Sequence, residues 1–243
     1  MKFLPFLFLI VALNCQAQVL QQKSVKITEK SVVKDINGTV YPYNIWTQLM
    51  QTGNFSLKPT SLVNPKDEYI IYELTQKEKE DMFVRLPKPK ESPYFVTGQP
   101  FGKFKATDID RNKLNLQDMK GKVLVINFWF INCPPCRTEI PELNKLVEKY
   151  KDRNDVVFIA IALDDKYDLR EFLKTNPFNY TIVDEGGWIA SQMGIKGFPT
   201  NVVVDQEGIV QFHADGYSMS IPRWIDKTIT SLIEKASAPT THH

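Results

Sequence analysis

The chain has 243 residues, of which 43% are hydrophobic and 24% charged, and its net charge is +2. That balance suits a globular protein with a core, built as one large domain or as a medium and a small one. It excludes a strong electrostatic field aimed at nucleic acid or a polyanionic surface, and no run of like charges is long enough to form a charged tail.

The first seventeen residues read as a secretory signal peptide. Lys2 is followed by a nearly unbroken apolar stretch from Phe3 to Leu13, and Asn14-Cys15-Gln16-Ala17 supplies a polar end. The segment is too short for a permanent anchor, and cleavage after Ala17 would leave Gln18 first. A rival assignment makes Cys15 the lipid-modified first residue of a lipoprotein, but Asn14 stands where a small residue is expected. No second apolar run of eighteen residues follows. The expectation is an exported protein, periplasmic or secreted, with no stable membrane insertion unless Cys15 is lipidated. Once Cys15 leaves with the signal, Cys133 and Cys136 are the remaining cysteines, in a compartment where disulfides persist.

Residues 18–86 form a small N-terminal α+β module, β-rich and polar, whose role the sequence does not indicate. Ser24–Thr28 and Ser31–Lys34 alternate as strands do, and Asp35-Ile36-Asn37-Gly38 supplies a tight turn. Tyr43–Met50 predicts a short amphipathic helix, Glu68–Leu74 a strand, and Gln76–Leu86 a charged helix. The module is too small and polar for an assured core of its own. Residues 87–94, rich in proline and charge, read as an extended linker.

A larger domain spans 95–236, with a polar tail at 237–243. Phe104–Ile109 and Lys113–Leu116 predict a short β-pair. Lys122–Phe130 (KVLVINFWF) is a continuous apolar run that predicts a strand covered on both faces. Arg137–Tyr150 carries apolar residues at helical spacing, and Val156–Leu163 predicts a second buried strand. A helix around Leu169–Lys174, a strand at Tyr180–Val183 and a short helix at Gly187–Met193 follow. Thr200–Val204 and Ile209–His213 flank a turn and predict a hairpin, and Ile221–Lys235 a closing helix. Alternating strands and helices with a terminal hairpin imply an α/β fold, a mixed central sheet flanked by helices.

Chemistry concentrates at Cys133-Pro134-Pro135-Cys136, between the buried strand and the helix that follows. Free N–H groups and the positive dipole end at a helix start stabilise a thiolate, the attacking species in disulfide exchange. Cys136 is one helical turn on, where it can resolve a mixed disulfide. Both prolines fit a first helical turn, which needs no N–H from them. A zinc half-site would need two more ligands, and the only histidines are His213, His242 and His243. A structural staple closing so small a loop removes little unfolded-state entropy. Neither a metal nor a cofactor is expected.

The segment Phe128-Trp129-Phe130-Ile131-Asn132-Cys133-Pro134-Pro135-Cys136-Arg137-Thr138-Glu139-Ile140-Pro141 resembles the active site of the thioredoxin superfamily, in its exported TlpA/ResA-like branch. Gly197-Phe198-Pro199-Thr200 is similar to that family's cis-proline loop. The resemblance covers roughly 95–236. It implies a thioredoxin-like fold, a redox-active disulfide between Cys133 and Cys136, and substrate docking at Phe198 and Pro199. Trp129 matches the family's aromatic beside the active site, which implies a substrate contact, a core role, or both. Glu139 matches a glutamate that this branch keeps near its thiols and is a candidate acid–base group, partly buried; a solvent-facing helix glutamate is the alternative. Asn127 stands where many cytoplasmic thioredoxins have a buried aspartate, and it cannot titrate. The 63 positions from Cys136 to Pro199 exceed the minimal fold and resemble this branch's insertion, while the N-terminal module lies outside the match.

The expected function is that of an extracytoplasmic thiol–disulfide oxidoreductase, by resemblance more a reductant than an oxidant. Its partners would be disulfides of exported proteins, apocytochrome c being the family precedent, and a membrane thiol electron donor. Two alternatives stay open. One is a Cu(I)-binding metallochaperone of thioredoxin fold, with His213 as the candidate extra ligand. The other is a peroxiredoxin-like peroxide reductase, although that chemistry uses a single peroxidatic cysteine rather than an adjacent resolving pair.

Overall fold

A computed structural model describes residues 27–61 and 67–237. The signal segment with Cys15, Ser24–Lys26 of the first candidate strand and residues 238–243 lie outside the described residues; Ile27 and Thr28 carry no strand.

The N-terminal part is a four-stranded sheet with two helices. Its elements are β1 (Val32–Lys34), β2 (Val40–Tyr41), α1 (Tyr43–Gln51), β3 (Phe55–Pro59), β4 (Glu68–Glu73) and α2 (Gln76–Arg85), with strand order β2-β1-β4-β3. The expected turn closes where Gly38 N–H reaches the Asp35 carbonyl, and Gly38 takes φ +90°, a conformation only glycine adopts without strain. β3 is an element the sequence reading missed. Phe55 and Leu57 pack inward against Val33, Trp46, Tyr69 and Ile71, the module's small core. α2 begins with a capping box in which Thr75 and Glu78 each satisfy the other's backbone N–H.

The larger part contains β5 (Lys105–Thr107), β6 (Lys113–Asn115), β7 (Val123–Trp129), α3 (Pro134–Lys149), β8 (Val156–Ala162), α4 (Lys166–Leu173), β9 (Thr181–Val183), α5 (Gly187–Gln192), β10 (Thr200–Val204), β11 (Val210–Asp215) and α6 (Ile221–Ser237). The central sheet runs β11-β10-β7-β8-β9, with β7, β8 and β9 parallel and β10 and β11 antiparallel. Helices flank it, so the expected mixed α/β architecture is the observed one. All seven residues of β7 are buried, as expected of a central strand covered on both faces. Its pleat sends Val123, Val125 and Trp129 toward α3, α4 and α6, and Leu124, Ile126 and Phe128 toward α5 and the β5–β6 hairpin. α4 starts three residues before the expected Leu169 because Asp165 caps it, accepting from the Tyr167 and Asp168 N–H groups.

The two parts touch through several contacts. Asn54 Nδ2 donates to Glu142 Oε1 on α3 at 3.2 Å, and the Tyr217 hydroxyl donates to the Gln51 carbonyl. Arg223 on α6 pairs with Glu80 on α2 at 2.6 Å and lies over the Phe83 ring. Among the described residues, no helix is long and apolar enough to cross a membrane.

Candidate active site

The C-terminal end of β7 delivers the chain to Cys133, the N-cap of α3, with Pro134 and Pro135 as its first helical residues. Cys133 and Cys136 form a disulfide, with Cα atoms 5.3 Å apart. The Cys136 N–H points at Cys133 Sγ at 3.2 Å, so a free backbone donor of the helix start faces this sulfur. Cys133 is only 3% exposed and Cys136 1%. The preceding loop is held by Asp164, whose carboxylate accepts from the Ile131 N–H at 2.8 Å. Asp164 carried no sequence signal, because the bond joins segments 33 residues apart.

The Phe198–Pro199 peptide bond is cis. The ladder pairs Thr200 with Phe128, which sets this loop beside the end of β7, and the Phe198 ring meets the Phe130 ring edge-on at 5.5 Å. The Pro199 carbonyl is taken by the Gly216 N–H at 2.8 Å, and the Gly197 carbonyl by the Thr200 hydroxyl at 2.8 Å. Phe198 is half-buried, and its backbone N–H and C=O make no hydrogen bond with the described residues.

Of the two roles expected of Trp129, the core role is the observed one and the substrate contact is corrected. It is 0% exposed and packs between Phe172 at 5.7 Å and Phe178 at 5.4 Å. As an odd-numbered residue of β7 it faces inward toward the helices, leaving no surface for a substrate. His213, the extra ligand of the copper reading, lies on β11 with its ring against Phe95, whereas both cysteines sit in the core on the other face of the sheet.

Glu139 is neither solvent-facing nor partly buried: it is 1% exposed, inside the core. Asn127 Nδ2 donates to Glu139 Oε1 at 2.7 Å and to Asn201 Oδ1 at 3.0 Å. Asn201 Nδ2 lies 3.2 Å from Oε1 and 3.1 Å from Oε2. Burial pushes the Glu139 carboxyl up to about 8, against the lowering pull of the Asn201 and Asn127 hydrogen bonds. Asn201 was missed in the sequence, although a polar residue inside the apolar run Thr200–Val204 was the available signal.

The larger domain also matches known proteins. The AhpC/TSA family model covers residues 97–213. Thiol-disulfide oxidoreductase ResA of Bacillus thuringiensis is 32% identical over 122 residues, half of this chain and 65% of that protein. Thioredoxin-like protein YneN of Bacillus subtilis is 31% identical over 116 residues, 47% of this chain and 68% of that one. The chain is a ResA-like member of the thioredoxin superfamily.

Within the solved structures, one assigned as a thiol:disulfide interchange protein DsbE, from Chlorobium tepidum, superposes with a TM-score of 0.53 at 26% identity. It covers 57% of this chain and 99% of its own. The ResA-like part of the molecule is therefore the larger domain, and the match to ResA stops short of two thirds of that relative's length. In this ResA-like chain a cleft of about 500 Å³ lies between α2, α3 and α6 and contains none of the cysteine, cis-proline or Glu139 positions. The cysteines, themselves buried, belong to a turn whose Asn132 and Pro134 are exposed.

Proposed function

We propose that this chain is an exported thiol–disulfide oxidoreductase that reduces disulfides of other exported proteins. The observation that carries the reading is the cysteine pair at the start of α3, one turn from a buried carboxyl and beside a cis-proline loop with free backbone groups. Names of relatives support the reaction class: thiol-disulfide oxidoreductase for ResA. The first seventeen residues support export, with cleavage after Ala17 and Gln18 as the new terminus.

In the reduced enzyme the Cys133 thiolate attacks one sulfur of the substrate disulfide. That S–S bond breaks, its electron pair leaves with the other substrate sulfur, and a mixed disulfide forms at Cys133. Cys136 then loses its thiol proton to the Glu139 carboxylate and attacks Cys133 Sγ. The mixed disulfide breaks, Cys133–Cys136 closes, and the second substrate sulfur leaves as a thiolate that takes a proton. The substrate gains two electrons and two protons. A dithiol donor, by exchange in the reverse sense, returns the pair to the reduced state. Phe198 and Pro199 dock the substrate, the open backbone of Phe198 pairing with its main chain.

Insulin-disulfide reduction by the purified protein with a dithiol donor tests the reading. Wild type should be active, Cys133→Ser inactive, and Cys136→Ser should stall as a trapped mixed disulfide. An inactive wild type that binds Cu(I) stoichiometrically would overturn it in favour of copper handling.

A further inference from the structure

The hydrogen bonds around Glu139 match the charged carboxylate, while its burial favours the neutral acid. Both Nδ2 protons of Asn127 are committed, one to Glu139 Oε1 and one to Asn201 Oδ1. Asn201 turns its Nδ2 toward both carboxyl oxygens. An added proton on either oxygen would meet an N–H, and Asn201 would have to rotate to present its own oxygen. Asn127 and Asn201 are also direct cross-strand partners in the antiparallel ladder, so the sheet itself fixes their spacing. Asn201 lies two residues beyond Pro199, on the strand that leaves the docking loop. Glu139 lies one turn beyond Cys136 on the same helix face.

We propose that Asn201, backed by Asn127, is a positioning residue for disulfide exchange: it clamps the Glu139 carboxylate toward the turn that carries Cys136 and sets its proton affinity for the resolving step. This rests on the disulfide-exchange reading. The other titratable groups facing Glu139 are Cys136 on its own helix, Tyr180 ahead of β9 and Tyr217 after β11, with Glu142 further along α3 and also facing Tyr217. Burial and the Glu139 charge hold Tyr180 well above the ordinary tyrosine range, and burial pushes Tyr217 up to about 12. Both stay neutral where Glu139 titrates. Among the described residues, burial and the Asn201 and Asn127 hydrogen bonds set the Glu139 proton affinity.

The test is a double-mutant cycle of Asn201→Ala with Glu139→Gln, read in single-turnover release of reduced product from the mixed disulfide across pH 5–10. In wild type the resolving rate should rise with pH, reach half its maximum near 8 and level off above about 9. Asn201→Ala removes the donors that favour the carboxylate, so its rise should move alkaline by about one pH unit. That is roughly a tenfold slower resolving step at pH 7, with the alkylation rate of Cys133 unchanged. In the Glu139→Gln background the second substitution should change neither rate nor profile. An equal loss in both backgrounds, or an unmoved profile, overturns the proposal. If Asn201→Ala does not fold, Asn127→Ala removes one donor and must give a smaller shift of the same sign. The infrared carboxyl band of Glu139 in the oxidised protein reports the same midpoint without turnover. An inactive wild type whose carboxyl midpoint still moves with Asn201→Ala would sink the functional reading and leave the clamp; an active wild type with a fixed midpoint would sink the clamp alone.

Discussion

Replacing Glu139 with glutamine should remove the loss of stability that wild type suffers as pH rises from 5 to 8, leaving smaller contributions such as that of His213, which burial holds below its usual range. The carboxyl is raised from an ordinary 4.5 to about 8 by burial. A folded-state affinity above the unfolded one means that the native protein holds its proton more tightly. Stability is then fully present below the unfolded value of 4.5 and is lost as pH rises through the folded value. Each pH unit in that window costs about 1.4 kcal/mol. The loss is on the order of 3 kcal/mol at pH 7 and 5 kcal/mol at pH 8 and above.

Glutamine has no proton to lose, and its amide nitrogen meets the Asn201 donor much as the protonated carboxyl of wild type does, so at low pH the two side chains ask the same rearrangement of Asn201. The two proteins should therefore be nearly equal in stability at pH 5. The gap should open above pH 5, the glutamine variant leading by about 3 kcal/mol at pH 7. Urea unfolding of the oxidised proteins at four pH values measures this directly. Parallel stability curves across that range would refute a raised carboxyl, and with it a Glu139 that exchanges protons near neutrality.

Trp129→Ala should lower stability by about 3–5 kcal/mol in urea, because it empties a fully buried ring site between Phe172 and Phe178. Gly186→Ala should lower the melting temperature: a Cβ there would run into Ile161 Cγ2 and approach the Ala162 carbonyl oxygen at 3.0 Å, and the central strand β8 cannot retreat. Glu80→Lys sets two cations together at Arg223, and proteolysis between residues 87 and 93 should accelerate as the N-terminal module loosens. Its effect on global stability should stay below about 1 kcal/mol, as for other exposed pairs.

The elements of the larger domain were legible because their signals are local. The run from Lys122 to Phe130 is apolar without interruption, and the cysteine motif marks the start of α3. β3 escaped because it is five residues long, and its strength comes from pairing with β4 rather than from its own pattern. The parallel pairing of β1 with β4 joins segments more than thirty residues apart and left no trace in either. Glu139 looked half-exposed because a single helix face cannot show what covers it. The covering groups arrive from Asn127, twelve residues earlier, and Asn201, 62 residues later. Trp129 carried two readings for a related reason: the motif put it next to the cysteines in sequence, whereas the pleat of β7 turned it away from the surface and left the core role alone.

Within β7 and β10 the buried polar residues are Asn127, Thr200 and Asn201, and the two asparagines are the ones that meet at Glu139. A core selected for stability alone would have filled these positions and Glu139 with hydrocarbon, since buried polar groups gain little over well-packed apolar ones. Here three elements, β7, β10 and α3, each contribute one polar side chain to the same point, and the carboxyl still remains uncomfortable when charged. Such a concentration of mutually satisfied polar groups beside a disulfide is expected where a proton must be held and released, because only a group near balance can do both. The instability stored at Glu139 and the chemistry at Cys136 are thus two readings of one arrangement. Relieving the first by substitution should remove the means for the second.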